Sequence, residues 1–328
     1  EGLGPQAVSA FTATASPAVF EAVANHLFGG SGYRLVEGDP DRPNLSYAVL
    51  PTLSKLHSLE RLLREEARPA IVFCSSRKGA EILAERLRER LATEEVRFYH
   101  AGLERPEKKK IEGWFFESRE GILTATCAYG LGVDKKDIRT VIHYEIPPSI
   151  EAYLQEAGRA GRDGLPSRAI LLAGREEEAS LSREEDPCRR ERKAALIGYA
   201  RSKGGCRREA LLKLLGTKTE APCSGCDRCD GEAQDDYEGL EEIEAFARVN
   251  ARRYEREEAL RLLRGERGFG ALGCPGRGLL SEWRKDDART ALEETIRLGA
   301  VRELERGPWK GRLTPPSRHR PRLRPESP

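Results

Sequence analysis

The chain has 328 residues, 38% hydrophobic and 34% charged, with 56 Lys and Arg against 54 Asp and Glu for a formal net charge of +2. That length suggests two or three domains, and so small a net charge marks neither a coat protein nor a charged tail. No apolar run nears the roughly 20 residues a membrane helix needs, and no secretory signal opens the chain.

There is no Met, even at position 1, where Glu1 stands. The N-terminus is therefore expected to be a cut rather than a start. Residues 1–175 alternate short β-branched runs with helical patterns. Strands are expected at Tyr33–Glu37, Ala70–Cys74, Val96–Tyr99, Gly121–Thr126, Thr140–Tyr144 and Arg168–Ala173. Helices are expected at Pro17–Phe28, Thr52–Glu66, Lys78–Leu91, Arg105–Phe116 and Ile150–Ala157. Strand alternating with helix predicts an α/β fold, a parallel sheet covered on both faces. Ala70-Ile-Val-Phe-Cys74 is apolar throughout, as a strand buried on both sides is.

From Glu176 the pattern turns charged and helical to residue 204, with apolar positions at Ala194, Ala195, Leu196 and Ile197. Residues 206–231 hold a cysteine cluster, and 232–253 read as an acidic linker. Residues 254–315 predict helices at Glu257–Leu263 and Asp286–Leu298, then a hairpin of Val301–Arg306 and Gly311–Thr314. Helix, helix and hairpin suggest a winged helix, with a small helical domain as the alternative. Residues 316–328 are Pro-rich, basic and expected to be unstructured.

Cysteines stand at 74, 127, 188, 206, 223, 226, 229 and 274. This is not the even scatter of a small disulfide scaffold, so a reducing compartment is expected. Four thiolates satisfy the tetrahedral preference of Zn²⁺. Cys223, Cys226 and Cys229 at C-x-x-C-x-x-C spacing supply three, and Cys206, heading a helix over Arg207–Leu215, supplies the fourth. Cys188 is the alternative fourth ligand. Cys74 and Cys127 read as small buried hydrophobes, and isolated Cys274 as a bland surface or core residue.

The densest motif is Gln155-Glu-Ala-Gly-Arg-Ala-Gly-Arg-Asp-Gly164. Arg159 and Arg162, with glycine between, can aim two guanidiniums at one anionic site, and guanidinium matches phosphate oxygens. Gly158 lets the backbone approach a ligand. A turn with surface salt bridges is the plainer alternative. The full run resembles motif VI of superfamily 2 helicases, in the form typical of the RecQ family.

Other segments resemble that family's motifs in the same order. Phe11–Ala15 resembles motif III, Asp41-Arg-Pro-Asn-Leu45 the segment joining two motor lobes, and Ile71–Arg77 motif IV. Tyr99-His-Ala-Gly-Leu103 resembles the next, and Ala125–Asp134 motif V. The cysteine spacing with its Cys206-Arg-Arg flank resembles the RecQ zinc-binding subdomain. The likeness covers roughly residues 7–231.

The resemblance implies an ATP-dependent 3′–5′ DNA helicase acting in DNA repair and recombination, with RecA-like lobes. Residues 1–30 would end the first lobe and carry motif III, and 31–175 would form the second. Residues 176–231 would form the zinc subdomain, and 254–315 a winged helix. No G-x-x-x-x-G-K-[ST] loop and no Asp-Glu-x-His box occurs. In the family both lie upstream of motif III. Most contacts to ATP and Mg²⁺ are thus expected on an upstream lobe, and this chain alone is expected to be inactive. Its own contribution would be Arg162 as arginine finger, Arg159 as a phosphate or interlobe contact, and Gln155, Gly158 and Asp134 near the nucleotide.

Ser75, Ser76, Arg77 and Thr126 lie at strand-to-helix turns, where backbone N–H groups suit phosphate. They are candidate DNA contacts; helix capping is the alternative for the serines. His100 is a further candidate, with a satisfied structural histidine as its alternative. Trp309 and Lys310 sit at the hairpin tip, Trp309 either stacking on a terminal base pair or folding back onto Leu304 or Leu313. Single-stranded and duplex DNA are the expected partners of a cytoplasmic monomer, nucleoid-associated if the source is bacterial. A non-enzymatic DNA-binding or annealing protein is the rival, and an RNA helicase a third reading that the zinc spacing disfavours.

Overall fold

The computed structural model describes residues 9–10, 17–29, 32–36, 41–127, 135–217, 222–266 and 273–316. They fall into two compact units, residues 1–50 with 62–233, and residues 51–61 with 234–328. Motif III and Asp134 lie outside the described residues, as does the tail from 317.

The first unit contains helix α1 (Pro17–Phe28), as its sequence predicts. Residues 33–36 do not form the expected strand. Leu35 and Val36 are exposed there, so the segment lacks the buried face that selects strand pairing. The strand that the pattern missed is β1 (Leu45–Pro51). It buries Leu45, Tyr47 and Val49 in the main core.

Helix α2 (Lys55–Glu65) follows, then β2 (Ala70–Phe73), α3 (Arg77–Leu91), β3 (Val96–Tyr99), α4 (Arg105–Glu117), β4 (Ile122–Ala125), β5 (Thr140–His143), α5 (Ile150–Ala157) and β6 (Ser167–Ala173). The sheet order is β1-β6-β5-β2-β4-β3. β2 pairs in parallel with β4 and β5, β3 with β4, and β5 with β6. β2, β4 and β5 are buried at every position, as central strands with covered faces must be. The helix starts are written locally. Ser76 caps α3 by accepting from Gly79 N, Ser149 caps α5 by accepting from Ala152 N, and Glu104 and Glu107 form a capping box at α4.

Helices α6 (Glu176–Ser182), α7 (Pro187–Arg201) and α8 (Arg207–Leu214) complete this unit. Leu196, Ile197, Tyr199 and Leu211 share one core with β2, β5 and β6, so helices α7 and α8 extend the sheet's own core.

In the second unit, α9 (Leu240–Val249) occupies a segment expected to be linker. The acidic run that suggested a linker ends in Glu241 and Glu242, in the first turn of α9, where they complement the helix dipole. Helices α10 (Arg256–Leu263) and α11 (Lys285–Arg297) follow, with the short antiparallel pair β7 (Arg302–Glu303) and β8 (Leu313–Thr314). Arg252 N donates to Leu313 O and Leu313 N to Tyr254 O, so residues 252–254 pair with β8. Phe246, Leu260, Leu263, Leu280, Trp283, Leu292 and Leu313 form the core, joined by Leu53. Residues 51–61, expected to belong with the sheet, therefore group with these helices.

Candidate functional site

The glycine–arginine run forms a tight loop at the end of α5. Because the strands are parallel, a helix that leaves the end of β5 and leads into β6 delivers its last turn to the edge where the strands begin. Gly161 N donates to Ile138 O and Asp163 N to Lys136 O, fastening the loop beside the start of β5. Gly161 has φ +58°, and a Cβ there would stand 2.5 Å from Asn44 Nδ2 and 2.7 Å from Ser167 Oγ. Both backbone and space thus require glycine. Gly158 keeps a right-handed conformation and ends α5.

The two arginines differ. Arg159 is 9% exposed, whereas Arg162 is exposed and donates from Nε to Gly158 O at 3.4 Å. Both were expected to aim outward at one anion; here Arg162 faces solvent and Arg159 is packed within the unit. Gln155 is exposed on α5. Arg139 pairs with Asp163. Burial alone would raise the Asp163 carboxyl, but the Leu165 N–H and the Arg139 guanidinium hold it below the usual carboxylate range.

Residues before β1 grip the same loop. The Arg42 guanidinium donates to Gly158 O at 3.4 Å, Ala160 O at 3.2 Å and Gly161 O at 2.8 Å. Asn44 Nδ2 donates to Gly161 O at 2.8 Å and Leu165 O at 2.9 Å. The sequence reading placed Asp41–Leu45 between lobes and assigned these side chains no such role.

Cys206, Cys223, Cys226 and Cys229 converge, their sulfurs all within 4.8 Å of one another. Cys206 Sγ and Cys226 Sγ are 4.0 Å apart. Zn–S bonds of about 2.3 Å in a tetrahedron need S···S edges of about 3.8 Å, so the four thiols fit Zn²⁺. Cys188, the alternative ligand, is exposed in the first turn of α7 and outside this group. Cys127, expected to be a buried hydrophobe, is exposed. Burial opposes ionisation of Cys226, but N–H groups of Cys229 and Arg207 outweigh it and bring the thiol down to about 7. Cys229 N donates to Cys226 Sγ at 3.4 Å, and Glu209 N to Cys206 Sγ at 3.5 Å.

Two arginines next to Cys206 anchor the cluster. Arg207 Nε donates to Asp227 Oδ1 at 3.0 Å, and its Nη1 to Tyr199 O and Ser202 O. Asp227 Oδ2 accepts from Val49 N, and Asp227 N donates to Tyr47 O, both at 3.0 Å. The knuckle thereby lies along β1 and covers an edge strand that would otherwise offer unpaired backbone groups. Arg208 pairs with Asp41 and donates to Arg42 O and Leu45 O. The Cys-Arg-Arg triplet was visible in the sequence, but not the partners of its arginines.

The expected DNA contacts divide by burial. Ser75, Ser76 and Arg77 are exposed just after β2, at the edge opposite the arginine loop. Ser76 Oγ caps α3, and a Cβ at Gly102 would lie 3.2 Å from the Arg77 guanidinium. His100 follows β3 on this edge but is 5% exposed, with Nε2 2.9 Å from Glu81. The ring is therefore engaged at Nε2, while its buried Nδ1 has no hydrogen-bond partner. Its hydrogen bond holds the Glu81 carboxyl below its usual range. Thr126 is buried after β4, its N donating to Tyr99 O. In the second unit, Trp309 is 42% exposed at the hairpin turn, with the Arg252 guanidinium 4.9 Å from its ring centre. Lys310 is exposed beside it.

A model of the helicase conserved C-terminal domain matches residues 54–164, and a model of RecQ zinc-binding domains matches residues 174–230. The ATP-dependent DNA helicase RecQ of Pasteurella multocida is 35% identical over 242 residues, 71% of this chain and 38% of that protein. The chain belongs to the RecQ helicase family.

The RecQ helicase of Haemophilus influenzae is 34% identical over 230 residues, covering 68% of this chain and 37% of that protein. The ATP-dependent DNA helicase hus2/rqh1 of Schizosaccharomyces pombe is 34% identical over 237 residues, 68% of this chain and 18% of that protein. The chain thus spans well under half the length of these RecQ relatives. The RecQ zinc-binding match covers all four clustered cysteines. No helix of the described residues is long and apolar enough to cross a membrane.

Proposed function

We propose that this RecQ portion is the second motor lobe, zinc subdomain and DNA-holding domain of an ATP-dependent 3′–5′ DNA helicase of repair and recombination. The carrying observation is the exposed Arg162 on a loop whose shape is fixed by Gly161, set next to a RecQ-type zinc module. ATP with Mg²⁺ supplies the phosphoryl group whose hydrolysis drives stepping. This chain's share is to bring Arg162 toward the γ-phosphate, while Arg159 packs beneath the loop and Gln155 and Gly158 line the approach. A guanidinium there offsets charge that builds on the phosphate oxygens in the transition state.

Zinc is proposed to be held by Cys206, Cys223, Cys226 and Cys229 as a structural ion. It stabilises the fold and takes no part in chemistry. Ser75, Ser76 and Arg77 are proposed to hold single-stranded DNA through its phosphates, at the sheet edge away from Arg162. The second unit is proposed to be a winged helix that holds duplex. In support, its elements run helix α9, extended 252–254, α10, α11, then a hairpin, with Trp309 and Lys310 in the turn. The protein is proposed to act as a monomer in the compartment that holds the DNA.

The test is Arg162→Ala in the whole protein, assayed for DNA-stimulated ATP hydrolysis. The variant should lower kcat by about 10³-fold or more, as loss of an arginine finger does, with nucleotide affinity changed far less. Turnover near that of the native protein would overturn the arginine-finger role of Arg162, and a native whole protein without DNA-stimulated hydrolysis would favour a DNA-binding role instead.

A further inference from the structure

Between the cysteine cluster and the arginine loop runs an unbroken series of charged contacts. Arg208, two residues after Cys206, is 2% exposed and lies over the Tyr47 ring at 5.3 Å. Its guanidinium pairs with Asp41, and the same Asp41 Oδ1 accepts from Arg42 N at 2.8 Å. Arg208 also donates to Arg42 O at 3.0 Å and to Leu45 O. The backbone around Arg42 is therefore held from the zinc-bearing helix α8. Arg42 then spreads its own guanidinium over Gly158 O, Ala160 O and Gly161 O, and Asn44 adds Gly161 O and Leu165 O.

Four carbonyls of one loop thus point at two side chains more than a hundred residues away in sequence. A planar guanidinium fork can meet several carbonyls at once, which a single ammonium cannot. Charged donors to carbonyls also make the stronger hydrogen bonds.

We propose that Arg42, Asn44 and Arg208 are positioning residues: a brace through which the zinc-bearing helix sets the shape of the loop that carries Arg159 and Arg162. This rests on the reading of that loop as a nucleotide contact only for its functional meaning; the brace itself is a property of loop order. It gives the zinc module a second role beyond covering β1. It also explains why Asp41 and Asn44 flank the two residues Arg42 and Pro43, since each side chain fastens a different partner.

The test is amide hydrogen exchange on the zinc-bound chain, read at Gly161, Asp163, Gly164 and Leu165. Arg42→Gln should speed exchange at these amides by about tenfold or more, with β2 and β4 amides unmoved. Arg208→Gln should do the same while zinc content stays at that of the native chain. Should Arg208→Gln fail to fold, Asp41→Asn removes the charge that holds Arg208 and carries the same expectation.

Arg42→Lys keeps the charge but loses the fork, and should leave the loop as open as Arg42→Gln does. Loop protection equal to native in Arg42→Gln, rescue by Arg42→Lys, or an equal rise in loop and core would each overturn the brace. None of these readings uses ATP turnover. A normal kcat in Arg162→Ala with a loosened loop in Arg42→Gln would sink the nucleotide assignment alone.

Discussion

At Asp227 one carboxylate joins three parts of the chain. It sits between two of the clustered cysteines, accepts from Val49 N on β1, and pairs with Arg207 of α8, with both partners at most 3% exposed. Breaking a buried pair by removing one member leaves an uncompensated charge, which costs about 3–5 kcal/mol. Asp227→Ala should lose stability on that scale in chemical denaturation; a loss below about 1 kcal/mol would show the pair to be dispensable. At the ligands themselves, elemental analysis of the reduced chain should find one zinc per molecule. Cys226→Ser should lower that content and bring aggregation or proteolysis, because structural zinc binding is also folding free energy. A folded, reduced chain without zinc would refute the assignment. The cysteines were legible because metal ligands need fixed spacing. Asp227 and Arg207 were not, since a charged pair gives no sequence sign of its partner.

Among the elements, helix starts carry local signals that strands lack. Ser76, Ser149 and Asp186-Pro187 each mark a helix start with a local cap, and a cap acts within a few residues. Strands depend on what lies beside them. In Tyr33–Glu37, Tyr33 packs on Phe20 and Phe28 but Leu35 and Val36 stay exposed, while Leu45–Pro51 became a strand against β6 and the cysteine knuckle. The hairpin β7–β8 was expected, and its turn holds the most exposed tryptophan. Trp309 stacks with Arg252, an exposed cation–π contact worth about 0.5–1 kcal/mol. Trp309→Ala should therefore barely shift melting of the second unit. Base stacking is worth roughly 1–3 kcal/mol, so duplex affinity should fall between about 5-fold and 150-fold. A large drop in melting temperature with unchanged DNA binding would show Trp309 to be a pin for the hairpin.

For the molecule as a whole, stability is expected to depend on pH through its second unit. His57 stacks on Trp283 with ring centres 3.9 Å apart. Burial depresses its pKa below the ordinary 6.5, although Glu238 and Asp287 pull the other way. A histidine with a depressed folded pKa binds its proton first in the unfolded chain. Its contribution is then present above about pH 6.5 and is lost as pH falls below that toward the folded value. Thermal unfolding of the second unit should weaken between pH 7 and pH 5, and His57→Gln should flatten that slope. An unchanged slope in the variant would place the dependence on other groups.

The sequence by itself determined the alternation of strands and helices, the spacing of the four clustered cysteines and the arginine run. Each is set by residues close together in the chain: hydrophobic period, ligand spacing, a glycine at a left-handed position. Tertiary structure decided which of the motif residues face solvent. It left Arg162 exposed and buried Arg159, turned His100 to Glu81, and drew residues 51–61 into the helical unit. It also revealed Arg42, Asn44 and Arg208 as the residues that hold the arginine loop. The grip on that loop joins segments more than a hundred residues apart, and their meeting is fixed by the packing of the sheet rather than by any local pattern.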